Sequence, residues 1–238
     1  MKSFFLYIRV AVLHLLYRFR PALRLTDKMV IIAPHPDDEV IGCAGLIQAL
    51  VEWGTPPHVI ILTGGEGSHR GCCDTSAEEI VSARHQLTLK AATTFGLPES
   101  HIHCLHYPDG GVVLEHPETE RLQALLSELA PQSVFVPHRG EGWSDHLQAA
   151  EIVKHLLKGQ DVSIYEYCVW MWYYNVWRLD FKQARLLRMS RVQHQRKLQA
   201  VDEYVTPLAH CGKPWSGVLP NRSLKVARWS RELYFKIK

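Results

Sequence analysis

The sequence predicts a single α/β domain, a three-layer, Rossmann-like, mainly parallel sheet with helices on both faces. Three observations carry this. Short unbroken apolar runs alternate with longer amphipathic segments, as expected of strands buried on both faces and joined by crossover helices. The 238 residues are 47% hydrophobic and 21% charged, close to a soluble globular average, which excludes disordered, collagenous and coiled-coil chains. Polar clusters follow the apolar runs, where open α/β sheets place their sites.

The elements follow in order. Residues 28–33 (KMVIIA) read as the first buried strand. Residues 39–53 form a helix with apolar positions at 40, 41, 44, 46, 47, 50 and 51, stopped by Gly54. Strand two is 58–62, and a Gly- and Cys-containing loop covers 64–76. Residues 77–95 form a helix closed by Gly96. Strand three is 102–106, running into a YPDGG turn at 107–111. A helix at 118–129, strand four at 133–137, a loop at 138–144 and a helix at 145–157 come next. Strand five is 162–169, and 182–204 reads as one long basic helix. The domain so delimited is 27–206, between a basic, apolar segment at 1–26 and a basic extension at 207–238.

The net charge of +3 hides an asymmetry. Residues 1–26 carry +5 and residues 213–238 carry +6, which leaves −8 on the body. Basic ends on an acidic body call for an anionic partner. In MKSFFLYIRVAVLHLLYRFR, Arg9 splits the apolar run, so the segment is too short to span a membrane. It also lacks the unbroken core and cleavage site of a signal peptide. Two readings stay open, an interfacial helix on an anionic leaflet and a helix packed on the body. At the other end Trp215, Trp229, Tyr234 and Phe235 read as further apolar anchors. The six cysteines show no CxxC pair and read as reduced cytosolic thiols.

The chemistry concentrates in His35-Pro36-Asp37-Asp38-Glu39, at the end of the first strand. Three acids in a row there are costly without a compensating cation. His35 and Asp38 can reach one ion across a tight turn, and Asp37 is left to act on a bound water. Asp145-His146, opening the helix after strand four, supplies His146 as third ligand. Two His and one carboxylate with an open position form a hydrolytic zinc pattern. The competing reading is an acidic helix N-terminus that complements the dipole and binds nothing.

Residues 33–47 (APHPDDEVIGCAGLI) resemble the A-H-P-D-D-E-x-x-x-G-x-G-G motif of the PIG-L (LmbE-like) zinc-dependent N-deacetylases, with Pro34 before His35 and Ala44 where Gly is common. The resemblance extends over about 28–206. It takes in LTGGE at 62–66, Arg84 with Gly96 twelve residues on (Leu87 replacing a Glu), YPDG at 107–110, Asp145-His146, and KLQAVDEY at 197–204. It implies one Zn2+ per chain on His35, Asp38 and His146, with Asp37 as general base. It also implies that Arg84 and Asp109 contact the substrate sugar. The family removes acetyl groups from N-acetylglucosamine units in glycolipids, thiol-cofactor precursors and antibiotics. Its usual H-P-D-H is here WSDH, so Trp143 stands where a His would assist the oxyanion or leaving amine. Indole donates a hydrogen bond but cannot protonate an amine. His138 and Glu141 are then candidate acids, or Asp37 carries the proton both ways, with Trp143 in the site wall.

Other residues carry weaker signals. His101, His103 and His106 fit strand-surface and loop positions better than a metal site. Cys72 and Cys73 read as loop thiols. His69 and Arg70 divide evenly between substrate contact and solvent. The aromatic run at 170–177 suits core packing, sugar stacking or a membrane-facing belt. Bases at 185, 188, 191, 196 and 197 suit an anionic partner or a solvated face.

The sequence thus predicts a zinc-dependent deacetylase acting on an N-acetylglucosamine-type sugar of a glycolipid or polysaccharide precursor. It is expected to be cytoplasmic and peripheral on the inner membrane face, with no nucleic-acid partner. Two alternatives remain, a deacetylase of soluble small molecules and a non-catalytic membrane- or polyanion-binding module on the same fold.

Overall fold

The computed structural model describes residues 8, 11, 12, 15–71, 74–171 and 180–238, without the side chains of 221–223. Seven strands form one sheet: β1 Met29–Ala33, β2 His58–Thr63, β3 Ile102–Tyr107, β4 Ser133–Pro137, β5 Ser163–Tyr167, β6 Ala184–Arg188 and β7 Arg231–Lys236. Around it lie α1 Asp38–Trp53, α2 Ala77–Phe95, α3 Glu118–Leu129, α4 Ser144–Leu156, α5 Arg191–Val205 and α6 Asn221–Ala227.

The order across the sheet is β3-β2-β1-β4-β5-β7-β6. Strands β1 to β5 run parallel, and β7 lies antiparallel between β5 and β6. Alternation along β1 explains the three layers. Met29, Ile31 and Ala33 pack with residues of α1, α2 and α5. Val30 and Ile32 pack with α3 and α4 on the opposite face. Both faces are covered, so the strands must be apolar throughout, as their unbroken runs indicated. Gly42 lets α1 approach the sheet, because a Cβ there would meet the Tyr167 ring at 2.3 Å.

Two expectations are corrected. The long basic helix over 182–204 is a strand, Ala184–Arg188, followed by a helix, Arg191–Val205. Ser190 starts that helix with a capping box, its side chain accepting from Gln193 N while Gln193 reaches back to the Ser190 N–H. Residues 231–236 of the basic extension form β7, so Tyr234 and Phe235 are core residues at 0% exposure rather than surface anchors. Their reason is pairing. β7 supplies the hydrogen bonds that hold β6 and β5 together at this edge, a tertiary gain that local periodicity does not reveal.

The N-terminal segment packs on the body through part of its length. Tyr17 is buried and stacks on Phe181 at 4.2 Å. Residues 21–23 bond to β6, with Leu23 N donating to Leu186 O at 3.0 Å and Leu186 N to Pro21 O at 2.9 Å. Ile8, Val12, Leu15, Leu16 and Phe19 are exposed, Phe19 at 81%. The segment's other apolar residues Phe4, Phe5, Leu6 and Leu13, which the interfacial reading would also use, lie outside the described residues, as do Cys72, Cys73 and 172–177 of the aromatic run. Among the described residues no helix is long and apolar enough to cross a membrane.

Candidate active site

The strand order places the site. β1 has β2 on one side and β4 on the other, so connections leave its carboxyl end in opposite directions and open a crevice there. His35 to Asp38 emerge from β1 into this crevice, and residues 138–146 emerge from β4.

Three ligand atoms converge at this point. His35 Nδ1 lies 3.3 Å from His146 Nε2 and 3.4 Å from Asp38 Oδ2, and His146 Nε2 lies 3.2 Å from Asp38 Oδ2. A tetrahedral cation with N and O ligands at about 2.0–2.1 Å has ligand–ligand edges of about 3.3 Å. The three side chains therefore already have the spacing that such an ion requires. Their other ring nitrogens face carboxylates. His35 Nε2 is 3.2 Å from Asp145 and 3.4 Å from Asp109, and His146 Nδ1 is 3.5 Å from Glu141. Asp145 is fixed in turn by main-chain N–H donors from Gly110 and Val112, and Asp109 by Gly67.

The electrostatics agree with the geometry. Burial opposes charge on His146, but Asp38 and Glu141 outweigh it and hold its pKa up at about 9. His35 is likewise raised, its burial overcome by Asp109, Asp145 and Asp38. Asp38 is held low despite burial by both histidines. This surplus of carboxylate recruits protons onto imidazoles when nothing else is bound, and the same field favours a divalent cation.

Asp37 is buried and has φ 125°, a conformation costly for a residue with a Cβ. Its neighbours hold it there. Glu39 Oε2 accepts from the Asp37 N–H at 2.9 Å, and Tyr204 Oη donates to Glu39 Oε1 at 2.6 Å. Arg84 donates to Pro36 O, to Gly65 O at 3.1 Å and to Asp37 Oδ2 at 3.3 Å. Burial with Asp38 and Glu39 nearby raises the Asp37 pKa in spite of Arg84.

The residues singled out from the sequence separate into two groups. His35, Asp37, Asp38, Arg84, Asp109 and Trp143 line one cleft. Within it Arg84 is spent largely on the protein's own main chain, and Trp143 packs against Trp170 with ring centroids 5.8 Å apart. His138 and Glu141 do not line the cleft, and both are buried behind it. His138 accepts from Gly140 N on Nδ1, and burial beside Arg139 and Lys154 pushes its pKa down to about 3. Sequence reasoning missed the part of Asp145, although it adjoins His146, and the wall formed by 216–219. Ser68 meets that wall, its Oγ bonding Trp215 O at 3.4 Å.

Among solved structures, N,N'-diacetylchitobiose deacetylase from Pyrococcus horikoshii is similar at 21% identity and TM-score 0.61, over 74% of this chain and 69% of that one. A deacetylase of the teicoplanin biosynthesis pathway matches at 13% identity and TM-score 0.66, over 88% and 97%. The 4-carboxy-2-hydroxymuconate hydratase from Pseudomonas putida matches at 15% identity and TM-score 0.66, over 90% and 97%. At these identities the likeness shows the fold. No curated protein matches the sequence significantly. The family model described as PIG-L, GlcNAc-PI de-N-acetylase, matches residues 30–157, more than half of the chain, and the protein belongs to that family.

Proposed function

We propose that the protein is a zinc-dependent hydrolase that removes the acetyl group from an N-acetylglucosamine-type sugar carried on a glycolipid or polysaccharide precursor. One observation carries the reading. His35, Asp38 and His146 bring three ligand atoms within 3.2–3.4 Å of one another beside a strained, buried Asp37. Zinc, when bound, lowers the pKa of a water molecule and polarises the acetyl carbonyl. Asp37 accepts the proton of that water as it adds to the carbonyl carbon, and returns it to the departing amine as the C–N bond breaks, leaving acetate and a free amino sugar. Arg84 holds the Asp37 carboxylate in place for both transfers. Asp109 lies on the cleft wall, where it can accept a sugar hydroxyl, and Trp143 with Trp170 offers aromatic faces to the ring. The deacetylase neighbours support this reaction, and the hydratase neighbour names the one to exclude.

The carrier reading rests on the surface. Exposed Leu15, Leu16 and Phe19 lie beside Arg18 on a segment anchored to the body by buried Tyr17 and by the bonds of residues 21–23 to β6. That combination suits peripheral attachment to an anionic membrane surface on the cytoplasmic side, where a lipid-linked substrate would lie.

The test is acetate release. Zinc-loaded protein is incubated with N-acetylglucosaminyl lipids, oligosaccharides and soluble conjugates, with Asp37→Asn as the control. Acetate from wild type alone supports the reading. No acetate from any of them, with hydration of an unsaturated dicarboxylic acid instead, would overturn it.

A further inference from the structure

The second carboxylate behind the ligand cluster points to a residue with a role of its own. Glu141 sits in the loop between β4 and α4, and its side chain has 0% exposure. Its carboxylate is clamped from the chain that follows β5. Oε1 accepts from Val169 N at 2.8 Å and Oε2 from Trp170 N at 2.6 Å. Each oxygen keeps a second lone pair. Oε2 turns its own toward His146 Nδ1, 3.5 Å away. That nitrogen is buried and has no conventional hydrogen-bond partner.

We propose that Glu141 is a positioning residue for the metal site: it takes the Nδ1–H of His146 and so fixes the ring with its bare Nε2 lone pair aimed at the ion. The inference rests on the metal assignment above and extends it to a residue outside the ligand set. A neutral imidazole carries one ring proton, which sits on whichever nitrogen finds an acceptor. With Oε2 beside Nδ1, the proton belongs there and Nε2 stays free to ligate. Without an acceptor at Nδ1 the ring is no longer committed, and binding must select the competent form. Carboxylates behind ligating histidines serve this purpose generally, and losing one typically weakens metal binding by about 10–100-fold.

The placement adds a second consequence. The N–H groups that hold Glu141 belong to Val169 and Trp170, and Trp170 packs on Trp143 in the cleft wall. One side chain thus ties the orientation of a metal ligand to the aromatic wall.

Glu141→Gln retains the shape but turns an NH2 toward one of three donors. Zinc affinity is measured by chelator competition on wild type and variant, alongside the melting temperature of both metal-free proteins. The Nδ1 proton of His146 is followed by 15N-edited NMR on zinc-loaded samples. The expected result is a zinc Kd raised about 10–100-fold, a metal-free melting temperature lowered only by the one mismatched buried donor, and loss of a downfield Nδ1–H resonance that wild type should show. In a His146→Ala background, Glu141→Gln should leave the residual zinc affinity unaltered, which a purely structural role would not predict. Wild-type zinc affinity in Glu141→Gln, or an equal loss with and without His146, would overturn the proposal. A wild-type protein that binds no zinc would overturn the metal assignment itself.

Discussion

Lys197 is a demanding case for stability, because it is a lysine at 1% exposure. Its Nζ donates to Glu232 Oε1 at 2.7 Å and to Ile41 O at 3.2 Å. Glu232 also accepts from Gly45 N at 2.9 Å, Leu46 N at 3.1 Å and Tyr234 Oη at 2.7 Å. The pair therefore joins α5, β7 and the middle of α1. Lys197→Met leaves a buried carboxylate without its cation, and Glu232→Gln leaves a buried ammonium without its anion. Breaking a buried pair from one side costs about 3–5 kcal/mol, on the order of 10 °C in Tm for a chain of this size. The double variant Lys197→Met/Glu232→Gln leaves no unpaired charge and should recover part of the loss. Urea unfolding of the four proteins measures this cycle. Single losses under about 1 kcal/mol, or strictly additive ones, would show that the pair is solvated and the burial argument mistaken.

Three further outcomes follow from other parts of the molecule. Asp37→Asn should bind zinc as wild type does and lose about 10²–10⁴ in turnover; metal analysis with kcat checks it, and rates within a few-fold would assign the base elsewhere. His58 stacks on His101 at 4.1 Å and lies 3.0 Å from His103 Nε2. Burial, with those two rings, lowers its pKa from 6.5 to about 4. The unfolded chain then takes up this proton first, so stability is intact above about pH 6.5 and falls as pH drops towards 4. His58→Gln should flatten that slope in a series of Tm measurements, and an unchanged slope would locate the acid sensitivity in other groups. Phe19→Glu, at the most exposed apolar position of the N-terminal segment, should weaken flotation with anionic vesicles and leave turnover of a soluble N-acetyl sugar unchanged. Equal flotation with neutral vesicles would refute electrostatic docking.

How far the sequence could be read depended on whether a signal was local. Strands buried on both faces declare themselves as apolar runs, and strand 133–137 comes out with the observed bounds, as does the amphipathic helix 118–129. β6 does not, because Arg185 and Arg188 beside Leu186 and Leu187 imitate one face of a basic helix. The S-x-x-Q at Ser190 was a legible capping box that would have moved the helix start to 191. β7 had no comparable signal. Its burial depends on insertion between two strands that lie far from it in sequence. In the site, the convergence of His35, Asp38 and His146 is legible because His35 and Asp38 share one turn and His146 opens a helix. Glu141 could be located in the right loop but not oriented. Whether it faces substrate or stands behind His146 is decided by Val169 and Trp170, which belong to another strand's exit.

That orientation bears on proton delivery in the proposed reaction. With Trp143 in the place of a histidine, the departing amine needs a proton from elsewhere. His138 is buried, held neutral, and turned to Gly140 and towards Glu166. Glu141 is committed to two main-chain N–H groups and faces His146. Asp145 and Asp109 both sit against His35. Asp37 remains, a cleft carboxylate that is not a ligand and is not placed against a ligand's imidazole. Its backbone is held at φ 125° by Glu39, Tyr204 and Arg84 acting together. Strain of that size persists only where the surroundings over-determine it. Here they fix a single carboxylate in the cleft, so in the proposed reaction one group serves as base in the first step and acid in the second. The loss of the motif histidine then calls for no replacement acid. It calls for a rigid Asp37, and the network that Tyr204 and Arg84 complete provides that rigidity.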